Sequence, residues 1–345
     1  MRDINLIGSD QIDVQKWDAC IRASVFENPL AYKWALDSLC DRWMGFVVDE
    51  YKAVIPIPIG RKLVFRTAQL PTDVQYFGIF CSADQDPSEV LSLFLRNQYL
   101  DGFRFFLLSF PIEFSGFSSE LLIKKRTTYQ LFLKQPYDVL YSNYSRRHKR
   151  NLRHFHESGF SVVRSLDVDA MLGLRSLQAK EIYLLFLSKW QFIQRKGFLM
   201  EGVSRDLVRI YYVFDSKGDV QGGGVFVLGN KRIVFFMLSS TEQGLNHRSG
   251  FAIVDAFIRD HQGYEGYLDF FGSDIPSIAE FNRGFGATPT PYYNYLINRW
   301  GYCLRKLQEK RFVHRFKTFF HSRRHVFHIL WNLNDIDFLF HDVLC

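Results

Sequence analysis

Cysteine is scarce and is nowhere arranged for metal or disulfide chemistry. The five residues, Cys20, Cys40, Cys81, Cys303 and Cys345, are odd in number and widely spaced, with no Cys-x-x-Cys or Cys/His ligand pattern. No metal is expected, and reduced thiols in a cytoplasmic protein are the simplest reading. No run approaches the ~18 apolar residues of a membrane span. The opening residues, MRDINLIGSDQIDVQKWD, lack the apolar core of a signal peptide, which again points to the cytoplasm. Low-complexity segments are missing too, and 47% hydrophobic with 23% charged residues excludes a disordered chain. Acids are the minority charge, 36 against 43 Lys and Arg. The resulting net charge of +7 suits an anionic ligand, a nucleic acid or an anionic membrane surface, and does not choose among them.

Aromatic residues are plentiful. With 345 residues, 35 Phe and 17 Tyr there is material for two cores, in line with roughly 100–200 residues per domain. The first block predicts helices over 13–24 and 30–39, then strands over 44–48, 52–59 and 63–69. An extended aromatic stretch follows at 75–80, then a helix over 87–97 and a strand over 103–108. The second block repeats that order. A basic helix spans 139–157, a long helical region 167–196, and a further helix 203–208. Strands over 209–214, 220–228 and 233–239 precede a helix over 249–261. Helices, a three-strand meander, then helix and strand, twice over, predict an α+β chain with two similar halves. Beyond residue 300 the character changes. Between Arg305 and Arg324 eight Lys and Arg face one acid, Glu309, interleaved with Phe312, Phe316, Phe319 and Phe320. Such a tail suits an anionic membrane, RNA, or docking on the protein body.

The most informative stretch is 267–298, YLDFFGSDIPSIAEFNRGFGATPTPYYNYLIN. It predicts a buried strand over 267–271, a Gly-Ser turn, a short helix over 275–282, a glycine-rich exit and an aromatic strand. Asp269 is the sole charge in the first strand, and a carboxylate buried there needs a partner. Leu268, Asp269, Phe270, Gly272, Ser273, Phe281, Phe285 and Gly286 resemble the "(F/L)DF-x-GS … F-x-x-x-FG" end of Fem-type and GNAT-type acyltransferase domains. ENPLAYKWALDSLCDRW and QYFGIF in the first block are similar to the N-terminal half of tandem-GNAT acyltransferases. The resemblance covers residues 12–300. It implies two tandem GNAT-like (acyl-CoA N-acyltransferase) domains, 1–136 and 138–300, with mixed, largely antiparallel sheets. The active cleft would lie in the second domain, and 301–345 would form a basic aromatic helical tail.

Several candidate residues follow from that resemblance. His247, Arg248, Ser249, Gly250 and Ala252 match a "(Arg/Gln)-x-x-Gly-x-(Gly/Ala)" helix start, with His247 where Arg or Gln is usual. Small residues and free N–H groups there receive a pyrophosphate; the plainer reading is a helix start capped by Ser249. In the preceding strand the family bulge aims a backbone N–H at the thioester carbonyl, which nominates Met237 and Leu238. Asn282 stands where GNAT enzymes carry tyrosine and Fem-type enzymes lysine. An amide donates hydrogen bonds but delivers no proton, so Tyr292, with Tyr293 and Tyr295 nearby, is the candidate acid. Asp269 either binds the acceptor ammonium and takes its proton, or forms a structural ion pair. Arg283, and Arg146, Lys149 and Arg150 on the basic helix, are candidates for holding an anionic substrate, unless that helix face is merely solvated. The reaction implied moves an acyl group from acyl-CoA, such as acetyl-CoA, to an amine on a small-molecule acceptor such as a sugar or cell-envelope precursor. An aminoacyl-tRNA-dependent Fem-type transferase, with tRNA as partner, and a non-catalytic binding fold are the alternatives.

Overall fold

The computed structural model describes residues 2–62, 65–71, 73–97, 103–113, 121–179, 189–272 and 274–298; Ser273 and the tail 301–345 lie outside the described residues. The chain opens with β1 (Ile4–Gly8), α1 (Val14–Ala23), a 3-10 turn (Pro29–Ala31) and α2 (Lys33–Leu39). The strands β2 (Trp43–Val48), β3 (Ala53–Lys62), β4 (Phe65–Gln69) and β5 (Phe80–Cys81) follow, then α3 (Pro87–Leu95), β6 (Phe103–Phe110) and β7 (Leu121–Phe132). The second half comprises α4 (Tyr137–Ser142), α5 (Arg146–Glu157), β8 (Ser161–Ser165), α6 (Val168–Ala179) and α7 (Lys189–Ser204). It continues through β9 (Val208–Phe214), β10 (Val220–Leu228), β11 (Arg232–Ser240), α8 (Glu242–Asn246) and α9 (Ser249–Asp260). It closes with β12 (Tyr267–Asp269), α10 (Pro276–Gly284) and β13 (Thr288–Asn298). Among the described residues no helix is long and apolar enough to cross a membrane.

All the described strands join one 13-stranded sheet, ordered β1-β2-β3-β4-β6-β13-β7-β12-β11-β10-β9-β8, with β5 attached to β3. The order reads alike from both edges. Each half lays down four antiparallel strands and then a parallel neighbour, β4 with β6 and β11 with β12. Each half then receives the last strand of the other: β13 pairs with β6, and β7 pairs with β12. The exchanged strands β7 and β13 are antiparallel neighbours at the centre.

Side-chain alternation divides the core. On one face, here the inner face, Val47, Val54, Val225, Val227 and Val234 pack with Trp17 and Ile21 of α1, Leu36 of α2, Met171 of α6 and Phe198 of α7. Trp34 of α2 stacks on Phe198 at 5.3 Å, joining the two halves there. The outer face of the second half, with Phe226, Ile233, Phe235 and Leu268, carries α5, α9 and α10. The outer face of the first half carries α3.

Several local readings change. The basic helix expected over 139–157 is two helices, because Ser145 accepts a hydrogen bond from the N–H of His148 at 3.2 Å and starts α5 afresh. The stretch 75–80 is mostly not strand. The Asn28 amide donates to the carbonyls of Tyr76 and Phe77 at 2.9 Å each, holding that segment by a side chain instead of a ladder. The long region expected over 167–196 shows as α6 and α7, with 180–188 between them outside the described residues, and α7 reaches Ser204. No separate helix forms over 203–208: residues 203 and 204 end α7, and Asp206, with a left-handed φ of 56°, turns the chain into β9. The strand expected over 267–271 stops at Asp269, and the short helix expected over 275–282 runs from Pro276 to Gly284. The strands β1, β7 and β8 and the helix α8 went unread.

Gly222-Gly223-Gly224 in β10 sets how closely helices approach both faces. A Cβ at Gly222 would meet Ser249 at 2.9 Å, one at Gly224 would meet Ile253 at 2.5 Å, and one at Gly223 would meet Met171 at 2.8 Å. Gly224→Val is expected to destabilise the protein by about 1–3 kcal/mol through overpacking, read as a lower urea midpoint at unchanged slope.

Candidate active site

The parallel strands β11 and β12 stay together for only three residue pairs, Arg232↔Tyr267, Ile233↔Leu268 and Val234↔Asp269. Beyond them β12 ends while β11 runs on to Ser240, so the sheet opens along one edge of β11. The opening coincides with a bulge. Against β10, Met237 faces Val225 and Phe235 faces Phe226, which leaves Phe236 as an extra residue. In consequence Phe236 and Met237 both join the inner core, whereas Phe235 and Leu238 pack on the outer side. The extra residue lies one position before the nominated pair Met237 and Leu238. In the first half, β4 and β6 remain paired to the last residue of β4, Gln69↔Leu107.

The start of α9 borders this opening. Its N-cap is Arg248, left-handed at φ 66°, and not Ser249. Ser249 is buried, its hydroxyl 2.8 Å from that of Ser240, which ties the helix start to the end of β11. A Cβ at Gly250 would stand 3.1 Å from Leu238, so the two nominated elements touch, and Ala252 is buried behind them. Arg248 is exposed and donates to the Leu245 carbonyl at 3.3 Å. His247 packs its ring 4.5 Å from Phe160 and stacks 5.9 Å from His154 of α5, and its Nδ1 is buried without a hydrogen-bond partner. Two further buried polar atoms on the flanking elements are orphaned likewise, Ser239 Oγ on β11 and Asn282 Nδ2 on α10. Orphaned buried groups are uncommon and call for an explanation.

Asp269 sits on the inner side with every acceptor position occupied. It pairs with Arg232 at 3.1 Å. It also accepts from Tyr76 at 2.5 Å, Thr128 at 2.6 Å, Gln130 at 3.3 Å and the N–H of Phe271 at 2.8 Å. Arg232 donates in turn to the Tyr76 hydroxyl at 2.9 Å and to the Glu27 carbonyl at 3.1 Å. Burial pushes the Tyr76 phenol well above its usual range, so it remains a neutral donor. The geometry supports the structural reading of Asp269. Tyr292 is buried beside it, stacked on Tyr76 at 4.8 Å. Asn282 lies across the sheet, on a helix that packs against the outer face, so the three residues nominated for catalysis do not share one face.

The wall facing α9 is aromatic. Phe251 of α9 and Phe281 of α10 are 5.0 Å apart, and Phe285 joins both. His148 of α5 enters among them, 4.8 Å from Phe251 and 4.5 Å from Phe285. Its Nε2–H donates to the Phe281 carbonyl at 2.8 Å, and Nδ1 accepts from Ser145 at 2.9 Å, which fixes the neutral tautomer. Gly284 makes room for the ring, since a Cβ there would lie 1.8 Å from it. Arg146, Arg150 and Arg283 are exposed, and Arg147 pairs with Glu280 of α10 at 2.6 Å. Lys149 is the exception among the nominated bases. It sits on the opposite flank of α5, donating to the Ser142 carbonyl at 2.8 Å. Sequence reading missed Tyr76, Glu27, Arg232 and His148; Arg232, a lone base opening an apolar strand, was the available signal.

Two outcomes are expected. Arg232→Met leaves Asp269 buried and unpaired, and is expected to cost about 3–5 kcal/mol in chemical denaturation. Burial holds the His148 pKa below the ordinary imidazole value, an effect that Arg147 reinforces and that the Phe281 carbonyl and Glu280 oppose. The unfolded chain therefore binds more protons as pH falls below about 6.5, and stability declines across that window. His148→Gln is expected to flatten the decline in melting curves recorded from pH 7.5 to 5.

No protein-family model and no curated protein matches this sequence. By structure, FemX is similar over 88% of this chain and 99% of its own, with a TM-score of 0.58 at 13% identity. The C-terminal domain (DUF2156) of a putative lysylphosphatidylglycerol synthetase from Agrobacterium fabrum is similar over 84% of this chain and 92% of its own, with a TM-score of 0.51 at 10% identity. L-PGS from Bacillus licheniformis is similar over 85% and 94%, with a TM-score of 0.50 at 10% identity. Likeness at these identities speaks for the fold, and the strand order, the parted parallel pair and these neighbours agree: the chain has the tandem fold of the Fem-type and GNAT-like acyltransferases.

Proposed function

We propose that the chain is an acyltransferase that moves an acyl group from acyl-CoA to the amine of a small-molecule acceptor, with the second half as its catalytic unit. The observation that carries this reading is the opening between β11 and β12, where a bulge at Phe236 meets the start of α9. Past Val234 the β12-facing edge of β11 has no strand partner, and the bulge against β10 re-aims the residues there; an N–H at Phe236 or Met237 is suited to a thioester carbonyl. Unpaired N–H groups at the start of α9 suit a pyrophosphate, and Gly250 permits close approach. Ser239, His247 and Asn282 offer polar atoms that protein groups leave unsatisfied.

In this mechanism the acceptor nitrogen attacks the thioester carbon. The carbonyl oxygen becomes an oxyanion held by the bulge donor, the C–S bond breaks, and the leaving thiolate takes up the proton that the acceptor nitrogen gives up as it becomes an amide. Orientation and oxyanion stabilisation supply the rate. Asp269 takes no part in proton transfer, because five donors hold it in place. Asn282 contributes a hydrogen bond and no proton.

Arg146, Arg150 and Arg153 give an aminoacyl-tRNA donor a specific argument, since they share the exposed face of α5 at helical spacing. Salt separates the two donors. Six to ten phosphate contacts weaken binding by roughly 10³–10⁵ between 50 and 200 mM salt, whereas one pyrophosphate gives a shallow slope. The test titrates acetyl-CoA and aminoacyl-tRNA across a salt series, with single-turnover transfer to a panel of amines. CoA binding with a shallow slope, lost in Gly250→Trp while the melting temperature holds, is the expected result. Steep tRNA binding without CoA binding favours the other donor, and binding of neither favours a non-catalytic fold.

A further inference from the structure

We propose a second ligand site, separate from the opening at β11, that takes a phosphate-bearing small molecule of nucleotide size. It is a cavity of about 390 Å³ between α4, α5 and α9, lined among others by Tyr141, Lys149, Leu152, Arg153, His156 and Arg259. Its volume falls in the lower part of the roughly 300–1,000 Å³ typical of small-molecule sites, well beyond what a lone phosphate needs.

Helical geometry separates this cavity from the start of α9. On α5, residues 149, 152, 153 and 156 follow the i, i+3, i+4, i+7 spacing of one face. His154, which stacks on His247 at the start of α9, points from nearly the opposite flank. On α9 the lining residues Asp255 and Arg259 lie roughly 9–15 Å along the axis from Ser249, at 1.5 Å per residue.

The charges in the cavity point to an anion. Asp255 is already satisfied, accepting from Tyr137 at 2.7 Å and pairing with Arg259 at 2.9 Å. The other lining acid, Glu157, is exposed at the rim. Lys149 is fixed in place by the Ser142 carbonyl at 2.8 Å and lies 5.4 Å from the centre of the Tyr141 ring. That bond uses one of its three donors. Arg153 and His156 stand exposed beside it on the same helix face. A forked guanidinium next to an ammonium matches several oxygens of one phosphate better than a single carboxylate. Half-buried Tyr141 and buried Leu152 supply an apolar wall for the rest of the ligand, which a base or another flat ring fits.

The test uses the full chain and three probes: adenosine 3′-phosphate, adenosine and inorganic phosphate. In calorimetric titration adenosine 3′-phosphate is expected to bind at least tenfold more tightly than either of the others. Arg153→Glu and Lys149→Met should each weaken it at least tenfold, with melting curves checking the fold of both. Gly250→Trp should leave this binding unchanged, so failure of the donor reading and failure of this one remain distinguishable. Coenzyme A, which carries the same 3′-phosphoadenosine group, identifies the source. Indifference of coenzyme A to Arg153→Glu assigns the pocket to a separate nucleotide and supports the second site. Weakening of coenzyme A by the same change assigns the pocket to the donor's own nucleotide end and overturns it. Absence of nucleotide binding at millimolar concentration, equal binding in both charge variants, or loss of binding in Gly250→Trp overturns it.

Discussion

The buried carboxylate of Asp269 is the constraint around which the second half is built. Moving a carboxylate and a guanidinium out of water costs several kcal/mol per ion unless each finds partners. Here the partners come from every neighbouring element: Arg232 on β11, Thr128 and Gln130 on β7, and Tyr76 from the first half. The N–H of Phe271 completes the set, and with Phe271 left-handed at φ 57° the chain turns away directly after β12. That turn ends the pairing with β11 after Val234. The charge that resembled a catalytic base is therefore the residue that shapes the opening.

The same network ties the two halves together. Arg232 reaches the Glu27 carbonyl, while the Glu27 carboxylate accepts from Tyr32 and from the backbone N–H groups of Asn230 and Lys231. Strand exchange adds to this, because the sheet of each half is completed by a strand from the other. The pairing of β7 with β13 joins residues more than 150 positions apart, such as Thr128 with Thr290. Contacts of such separation carry a large loop-closure cost, which slows their formation relative to local pairings.

What the sequence made legible follows from which signals are local. Helices with a side-chain cap were placed to within a few residues, as for Asp13 before α1 and Asp86 before α3. Apolar runs bounded by turn residues, Asp215-Ser216-Lys217-Gly218 and Gly229-Asn230, placed β9, β10 and β11. By contrast β7, with Lys124, Lys125 and Arg126 in its middle, carries strand structure on a charged pattern, and its partners lie far along the chain. The site was legible in part. Small residues and family order nominated Gly250 and Ala252, which stand at the start of α9, and the lone charge of Asp269 announced a partner without naming it. Tyr76 and Glu27 lie in the quoted stretches QYFGIF and ENPLAYKWALDSLCDRW, yet nothing local gave either residue a role, because that role exists only once the halves meet. Lys149 and Arg150 are neighbours in sequence, yet one helical step places them on different sides of α5.

The asymmetry between the halves has a physical cause within an otherwise repeated frame. In the first half β4 and β6 stay joined, and the chain after β4 is committed elsewhere. Asp73 is held by Arg175 of α6 and Arg195 of α7, and Tyr76 passes under Asp269. The segment that follows the fourth strand of the meander thus serves as a wall and anchor for the other half. In the second half the corresponding segment folds as α8 and the start of α9, beside a strand edge left open. One half supplies rigidity at the place where the other half parts, and an opened parallel pair keeps its shape because buried charge fixes the point at which the strands diverge.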